Sequence, residues 1–279
     1  MTETGERDAR VRDWMRTHWG GRAGHYAAHS APRNRPFAEE LVRLAGIAPG
    51  ERVLDVAAGS GIVAVTVAAA VGPSGSVMAT DLAPEWGDLV RASAEAAGMA
   101  DRVAFRAMGA EALDLPDGGF DAALCQFGLM FVPEPVVALR EMRRVLRDGG
   151  RLGVAVWSTA DKVAHHLVSR LVTAALPPTP PEARMPSPLE LAEPGLIERL
   201  VAAAGFRDVA TTRRTFDVIV DDVEAEWRGR VELPGFPRAS FTPEALARLH
   251  DEAIAALEAH RRDGAIRLRS EAIFVTAAR

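Results

Sequence analysis

An α/β fold built on a parallel sheet follows from three stretches of the sequence. Residues 51–61, ERVLDVAAGSG, read as a short apolar strand that runs into a glycine turn. Residues 62–71, IVAVTVAAAV, are rich in alanine and hold no breaker, so they read as a helix whose N-terminus opens at that turn. SVMATD at residues 76–81 reads as a second strand, and it ends on a carboxylate. Strand, glycine bend and helix, followed by a strand with a terminal acid, make a nucleotide-binding unit.

Gly59 and Gly61 let the backbone turn sharply and approach a ligand without a Cβ in the way. With Ala64 they would also satisfy the fingerprint of dinucleotide-binding folds. Asp55 points elsewhere: it lies upstream of the glycines, inside a strand that is normally apolar there, and an ionised carboxylate in that place is costly unless a ligand or backbone donors meet it. A bound cation would meet it. Asp81, about twenty residues past the turn, can accept both hydroxyls of a ribose. The two carboxylates and the bend describe a ligand with a positive end and a ribose.

Four motifs in order resemble the class I S-adenosylmethionine-dependent methyltransferases, in particular the branch of the ubiquinone and menaquinone C-methyltransferases and many natural-product enzymes. They are VLDVAAGSG at 53–61, ATDLAPEW at 79–86, GAEALDLPDGGFDAALCQFGLMFVPEP at 109–135 and LREMRRVLRDGGRLGVAVW at 139–157. The resemblance implies a Rossmann-like sheet of seven strands, mostly parallel with an antiparallel last strand, with helices on both faces and helical lid insertions. It implies S-adenosyl-L-methionine as cofactor. Asp55, with Ala57, Gly59 and Gly61, would orient the methionine end; Asp81 would hold the ribose and Leu82 would pack on adenine. Cys125 and Phe127 would border the methyl donor, and Tyr26, the one tyrosine, would approach it from a leader that folds over the cofactor. Relatives carry a Gly-Asp-Ala triplet at the adenine loop, whereas here Gly109 stands at the Asp position, followed by Ala110 and Glu111. Either Glu111 supplies the missing acceptor, or adenine is held by the Ala110 N–H and apolar contacts.

Composition agrees. A chain of 279 residues with 48 % hydrophobic content can bury one large core and carry an appended subdomain. The net charge of -5 and a pI near 5.9 argue against a nucleic-acid surface. Cys125 is the single cysteine, which excludes an intrachain disulfide and a cysteine metal cluster. The start, MTETGERDAR, lacks the apolar core of a signal peptide, and no apolar run reaches membrane length. A cytoplasmic enzyme with a small-molecule acceptor is expected, without metal, membrane or nucleic acid.

The chain divides into a leader at 1–35, a cofactor-binding core at 36–158, a lid helix with a proline-rich loop at 159–190, and the end of the core sheet at 191–279 with a substrate cap inserted at about 221–264. In the leader, residues 11–19 read as a helix and Gly20, Gly21 and Gly24 as a joint, which allows a homodimer through exchanged N-terminal segments. His25 and His29 flank Tyr26. Residues 85–98 are amphipathic, 103–106 are a short third strand and 120–124 a fourth, with Cys125, Gln126 and Phe127 at its carboxyl end. Ligands of open parallel sheets bind outside those ends, so this segment and the apolar Met130 and Phe131 beyond it are expected to wall a reaction chamber. Pro135 opens a helix whose Arg140, Arg143, Arg144 and Arg147 read as a solvated face, and residues 151–157 are a fifth strand ending on Trp157. Thr159 or Asp161 is expected to cap a helix running to about 176 that carries His165 and His166. A sixth strand at 206–220 and a last at 272–278 complete the sheet, and a helix starts at Thr242 and Pro243. Trp227 and Phe236 are too large and apolar for an idle loop and are expected to roof the substrate pocket together with Gln126, Met130, Phe131 and Trp157.

Methyl transfer needs alignment more than an enzyme nucleophile, so a buried Cys125 reads as packing. Tyr26, His29, His165 and His166 are the proton-acceptor candidates, with a solvated surface residue as the competing reading for each histidine and plain covering of the core edge for Tyr26. The leading expectation is methylation of carbon or oxygen of a small, partly apolar metabolite, in secondary metabolism. The alternative is a protein that binds S-adenosylmethionine without methylating, as a cyclase or partner, because a fold does not fix chemistry.

Overall fold

The elements in chain order are α1 (Glu3–Gly20), α2 (Ala23–His29), α3 (Arg35–Leu44), β1 (Arg52–Val56), α4 (Ile62–Val71), β2 (Ser76–Asp81), α5 (Trp86–Ala96), β3 (Val103–Ala107), β4 (Phe120–Gln126), α6 (Pro135–Val145), β5 (Leu146–Trp157), α7 (Leu167–Ala174), α8 (Leu196–Ala203), β6 (Arg207–Val220), α9 (Val223–Val231), α10 (Pro243–Glu258), β7 (Arg261–Arg262) and β8 (Ala265–Ala278), with helices and strands alternating from α3 to β3. The computed structural model describes residues 3–178, 186–233 and 236–279, with side chains from residue 9 onward. Part of the proline-rich stretch at 176–188 lies outside the described residues.

The sheet has the order β3-β2-β1-β4-β5-β8-β6. β1 pairs in parallel with β2 on one side and β4 on the other, so the order reverses between β1 and β4 and opens a crevice at their carboxyl ends. β1 is buried on both faces because it is central in this sheet: every residue after Arg52 is buried, and all of these but Asp55 are apolar. The antiparallel last strand is as expected, with β8 running against β5 from Arg151↔Ala278 to Trp157↔Ala272. The strand count is eight among the described residues, one more than expected. The addition is β7, two residues paired with β8 across a tight turn in which Asp263 and Gly264 take φ of 50° and 82°, the geometry an Asp-Gly pair favours in a two-residue hairpin.

The chain falls into two units, the first comprising residues 1–158, 186–214 and 272–279 and the second residues 159–185 and 215–271. In the first, the leader packs within its own chain: Val11, Met15 and Ala23 are buried, and Ala23, Ala83 and Trp86 form a small core to which Trp19, Tyr26, Leu89 and Phe105 add. The arginines of α6 are more than a solvated face. Arg144 donates to the carbonyls of Leu113 and Leu115 at 2.7 and 2.8 Å and to Glu141 and Asp117, tying the loop before β4 to the helix, and Arg143 donates to the Gly205 carbonyl at 2.9 Å.

In the second unit the helix expected from 159 starts later. Two short 3-10 turns, Ala160–Lys162 and Ala164–His166, precede α7, and Thr159 makes no side-chain cap. α9 was not expected as a helix: of its residues only Trp227 and Val231 are buried, too few for a visible apolar period. Its start signal is Asp222, whose carboxylate accepts from the Glu224 and Ala225 N–H groups. Thr242 caps α10 as expected, through the Ala245 N–H at 3.2 Å.

Candidate functional site

The glycine turn follows β1 and leads into α4. Gly61 takes a φ of 85°, and a Cβ on it would stand 3.3 Å from Cα of Val90, so both backbone conformation and close packing call for glycine there. Asp55, four residues into β1, is 1 % exposed, and neither carboxylate oxygen has a hydrogen-bond partner. Burial holds its carboxyl well above the usual range; the Ala64 N–H in the first turn of α4 offsets this, at a geometry short of a hydrogen bond, and the nearby Asp81 adds to it. A buried acceptor pair of this kind is the complement of a cationic ligand group. Asp81 is differently placed. Gly59 N–H donates to its Oδ2 at 3.0 Å and Ala83 N–H to its Oδ1 at 3.2 Å, and burial pushes its pKa up to about 6 against these donors and the Leu82 N–H. The acid at the end of β2 is thus anchored to the glycine turn itself.

The carboxyl ends of β1 and β4 hold two non-glycine residues in the left-handed region, Ala57 and Phe127, each at a φ of 56°. Such strain gathers where a backbone is shaped for a ligand. Phe127 stacks on Trp157 with centroids 3.6 Å apart, and Phe37 stands edge-on to both. One face of the Phe127 ring and one of the Trp157 ring are therefore taken by each other. Cys125 is buried and its thiol is pushed up to about 12 by burial and by Asp55, so it is no nucleophile. Gln126, 9 % exposed, donates from Nε2 to the main-chain carbonyl of Asn34 at 3.3 Å, and its Oε1 has no partner.

Asn34 continues that chain of contacts by donating from Nδ2 to the Tyr26 hydroxyl at 2.8 Å. Tyr26 is edge-on to Trp19 and Trp86 at 5.8 and 5.7 Å, and burial together with the charge of Asp81 outweighs the Asn34 bond and pushes its pKa up to about 12, which removes it as a base. Trp19 is also edge-on to Phe131 at 5.1 Å, while Met130 is buried. At the loop expected to hold adenine, a Cβ on Gly109 would lie 3.5 Å from Leu82 Cδ1, so these two residues adjoin, with Ala110 next. Glu111 is engaged elsewhere: its Oε1 pairs with Arg12 of α1 at 3.2 Å and accepts from the Glu134 N–H at 3.3 Å.

The candidate histidines fall in both units, and the ring centroids of His165 and His166 lie 4.1 Å apart. His29 is exposed, donates to the His25 carbonyl at 3.0 Å and stacks on that ring. His165 and His166 belong to the second unit. His165 Nδ1 is 2.8 Å from Ser270 Oγ, which itself donates to the Leu268 carbonyl, leaving Nδ1 as the donor. His166 is held near 3 by burial and by Arg230 and Arg170, so its imidazole is neutral. Trp227 is buried there with its ring edge-on to His250, and Phe236 stacks on Phe241. Sequence reasoning missed Asn34, which belongs to no recognisable motif, and Gly128, treated below. No group of histidine, cysteine and carboxylate side chains fit for a metal, and no helix long and apolar enough to cross a membrane, occurs among the described residues.

Part of the chain is similar to known proteins. A family described as methyltransferase domain matches residues 53–150. An uncharacterized protein of Mycobacterium tuberculosis is 39 % identical over 135 residues, 48 % of this chain and 47 % of its own length. The ubiquinone/menaquinone biosynthesis C-methyltransferase UbiE of Ectopseudomonas mendocina is 40 % identical over 117 residues, 42 % of this chain and 46 % of its own. The chain thus spans about half the length of the curated relatives it matches. Among solved structures, the YcgJ protein of Bacillus subtilis shares the fold, with a TM-score of 0.57 at 20 % identity over 88 % of this chain and 98 % of its own.

Proposed function

We propose that this chain, whose residues 53–150 match a methyltransferase domain and which resembles the class I, ubiquinone/menaquinone C-methyltransferase-like kind, is an S-adenosylmethionine-dependent methyltransferase acting on carbon or oxygen of a small, partly apolar metabolite. The observation that carries this reading is Asp55: a buried carboxylate with no protein partner, at a glycine turn, faces the need for a cation. When bound, S-adenosylmethionine supplies an activated methyl group on a sulfonium sulfur, so no residue need act as nucleophile.

The residues present fit that cofactor. Asp55 would hold its ammonium group, the Gly59 to Gly61 turn would admit the methionine end, and Asp81, already fixed by two backbone donors, would accept from the ribose hydroxyls. Leu82 beside Gly109 would cover adenine through apolar contact, since Glu111 is held by Arg12 and the start of α6. The buried Leu129 and Met130 just beyond β4 support an apolar acceptor, and a natural-product pathway suits such a substrate.

Calorimetric titration with S-adenosylmethionine and S-adenosylhomocysteine tests the reading. The expected result is micromolar binding that falls by about 30-fold or more in Asp55→Ala and Asp81→Ala, the loss of one charged hydrogen-bonded group. Absence of binding to the wild type would sink it. Binding without S-adenosylhomocysteine formation over an acceptor panel would favour the cyclase or partner role instead.

A further inference from the structure

Gln126 ends β4 with half of its amide committed and half not. Its Nε2 donates to the Asn34 carbonyl, and because a main-chain carbonyl can only accept, the amide cannot be turned the other way without losing that bond. Oε1 is therefore fixed as the free end, and it is an acceptor buried without a partner. Asn34 is itself steadied through its Nδ2 bond to Tyr26, whose ring is wedged between Trp19 and Trp86. A buried acceptor left unmade costs about 1–3 kcal/mol, so a ligand that supplies the donor is favoured over one that does not.

Three such orphan oxygens lie at the carboxyl ends of the two strands that bound the crevice, two on Asp55 and one on Gln126. Their chemistry differs. Asp55 carries the charge that suits a cationic group, while Gln126 is neutral and its neighbour Phe127 is part of an aromatic stack with Trp157 and Phe37. A neutral acceptor in apolar surroundings suits a neutral donor on an apolar body. We propose that Gln126 is the specificity-determining residue for the methyl acceptor, and that the acceptor is a hydroxylated aromatic or similarly apolar alcohol whose O–H donates to Gln126 Oε1. This rests on the cofactor reading above, which leaves the acceptor side of the crevice to β4.

The test uses the 279-residue chain and two probes of equal shape, 1-naphthol and 1-methoxynaphthalene, titrated calorimetrically into protein saturated with S-adenosylhomocysteine. Wild type is expected to bind the naphthol about tenfold or more tightly than its ether, the size of effect that one buried hydrogen bond gives. Gln126→Met, of similar volume but without an acceptor, should bind both probes alike while its S-adenosylhomocysteine affinity stays within about twofold of wild type. Gln126→Glu, which keeps an acceptor, should keep the preference and guards against a loss due to altered packing. The proposal is overturned if wild type does not prefer the naphthol, failure to bind either probe included. It is equally overturned if Gln126→Met loses tenfold in S-adenosylhomocysteine affinity, which would assign Gln126 to the cofactor. Failure of wild type to bind S-adenosylhomocysteine would remove the cofactor reading alone; the probes are then compared without it, and a preference lost in Gln126→Met still upholds Gln126.

Discussion

Ala57 occupies the space that a side chain at Gly128 would need: a Cβ on Gly128 would stand 2.4 Å from Cβ of Ala57 and 3.2 Å from Sγ of Cys125. The two residues lie just past the ends of β1 and β4, and Ala57 holds its left-handed φ of 56° at a cost of about 1 kcal/mol or more. Gly128→Ala should destabilise the protein by about 1–3 kcal/mol through overpacking. Ala57→Gly removes both the methyl and the strain, so it should stabilise by about 0.5 kcal/mol after the added freedom of the unfolded chain. In the double variant most of the Gly128→Ala cost should vanish. Urea unfolding of the four proteins gives the coupling, expected to exceed about 1 kcal/mol; additive effects would show that the two sites do not share this space.

That pairing also marks where sequence reading stops. The core was legible because its signals are local: an apolar run into a glycine turn placed β1 to within a residue of its observed end, a breaker-free helix gave α4 at the bounds the structure shows, and an unexpected carboxylate in a strand singled out Asp55. Contacts between residues distant in the chain were not legible. Nothing near Gly128 names Ala57 as its neighbour, nothing near Gln126 names Asn34, and Glu111 gave no sign that Arg12 would claim it. β7 and α9 escaped for another reason, since a two-residue strand and a helix with two buried residues leave almost no periodic trace.

Arg144 fastens the segment before β4 to α6 and should be a large single contributor to stability at the surface. Its guanidinium, 31 % exposed, donates to two carbonyls and two carboxylates, and Glu141 returns a bond to the Leu113 N–H at 3.0 Å. A lysine cannot span that fork, so Arg144→Lys should lose nearly as much as Arg144→Ala, about 2–4 kcal/mol. Urea midpoints check this. A loss below about 0.5 kcal/mol in Arg144→Lys would mean that charge alone, not the planar fork, does the holding.

His250 should make the stability of the second unit weakly dependent on pH. Its Nε2 is 3.0 Å from Glu224 of α9 and its Nδ1 3.0 Å from Asp251, and these bonds raise its pKa from the ordinary value near 6.5. With the folded pKa raised, the contribution is fully present below the unfolded value and fades as pH rises through the folded one. The pair is exposed, so the effect is small, about 0.5 kcal/mol or less. His250→Gln should therefore cost that much near pH 5.5 and almost nothing near pH 9. Thermal melts at both ends measure it, and NMR titration of the His250 ring reads the shift itself; an unshifted ring would remove the bridge.

Asp55 ties the candidate cofactor site to proton release. Burial raises its carboxyl well above the usual range, so folding favours its protonated form, and that share of stability is present below the unfolded value and lost as pH rises through the folded one. Asp81, pushed up to about 6, has the same sign. The unliganded protein should thus weaken as pH climbs from about 4 through 6 and beyond, and Asp55→Asn, which cannot ionise, should gain on wild type over that climb. Ligand binding has the opposite demand. A cationic group needs the carboxylate form, so below the folded pKa of Asp55 its arrival expels the proton. Calorimetry with S-adenosylmethionine over a series of pH values, in buffers of different ionisation heat, counts that proton, and Asp55→Asn should release fewer while binding more weakly. Equal release from both proteins would show that Asp55 does not face the positive end of the ligand, and the assignment of that residue would have to be given up.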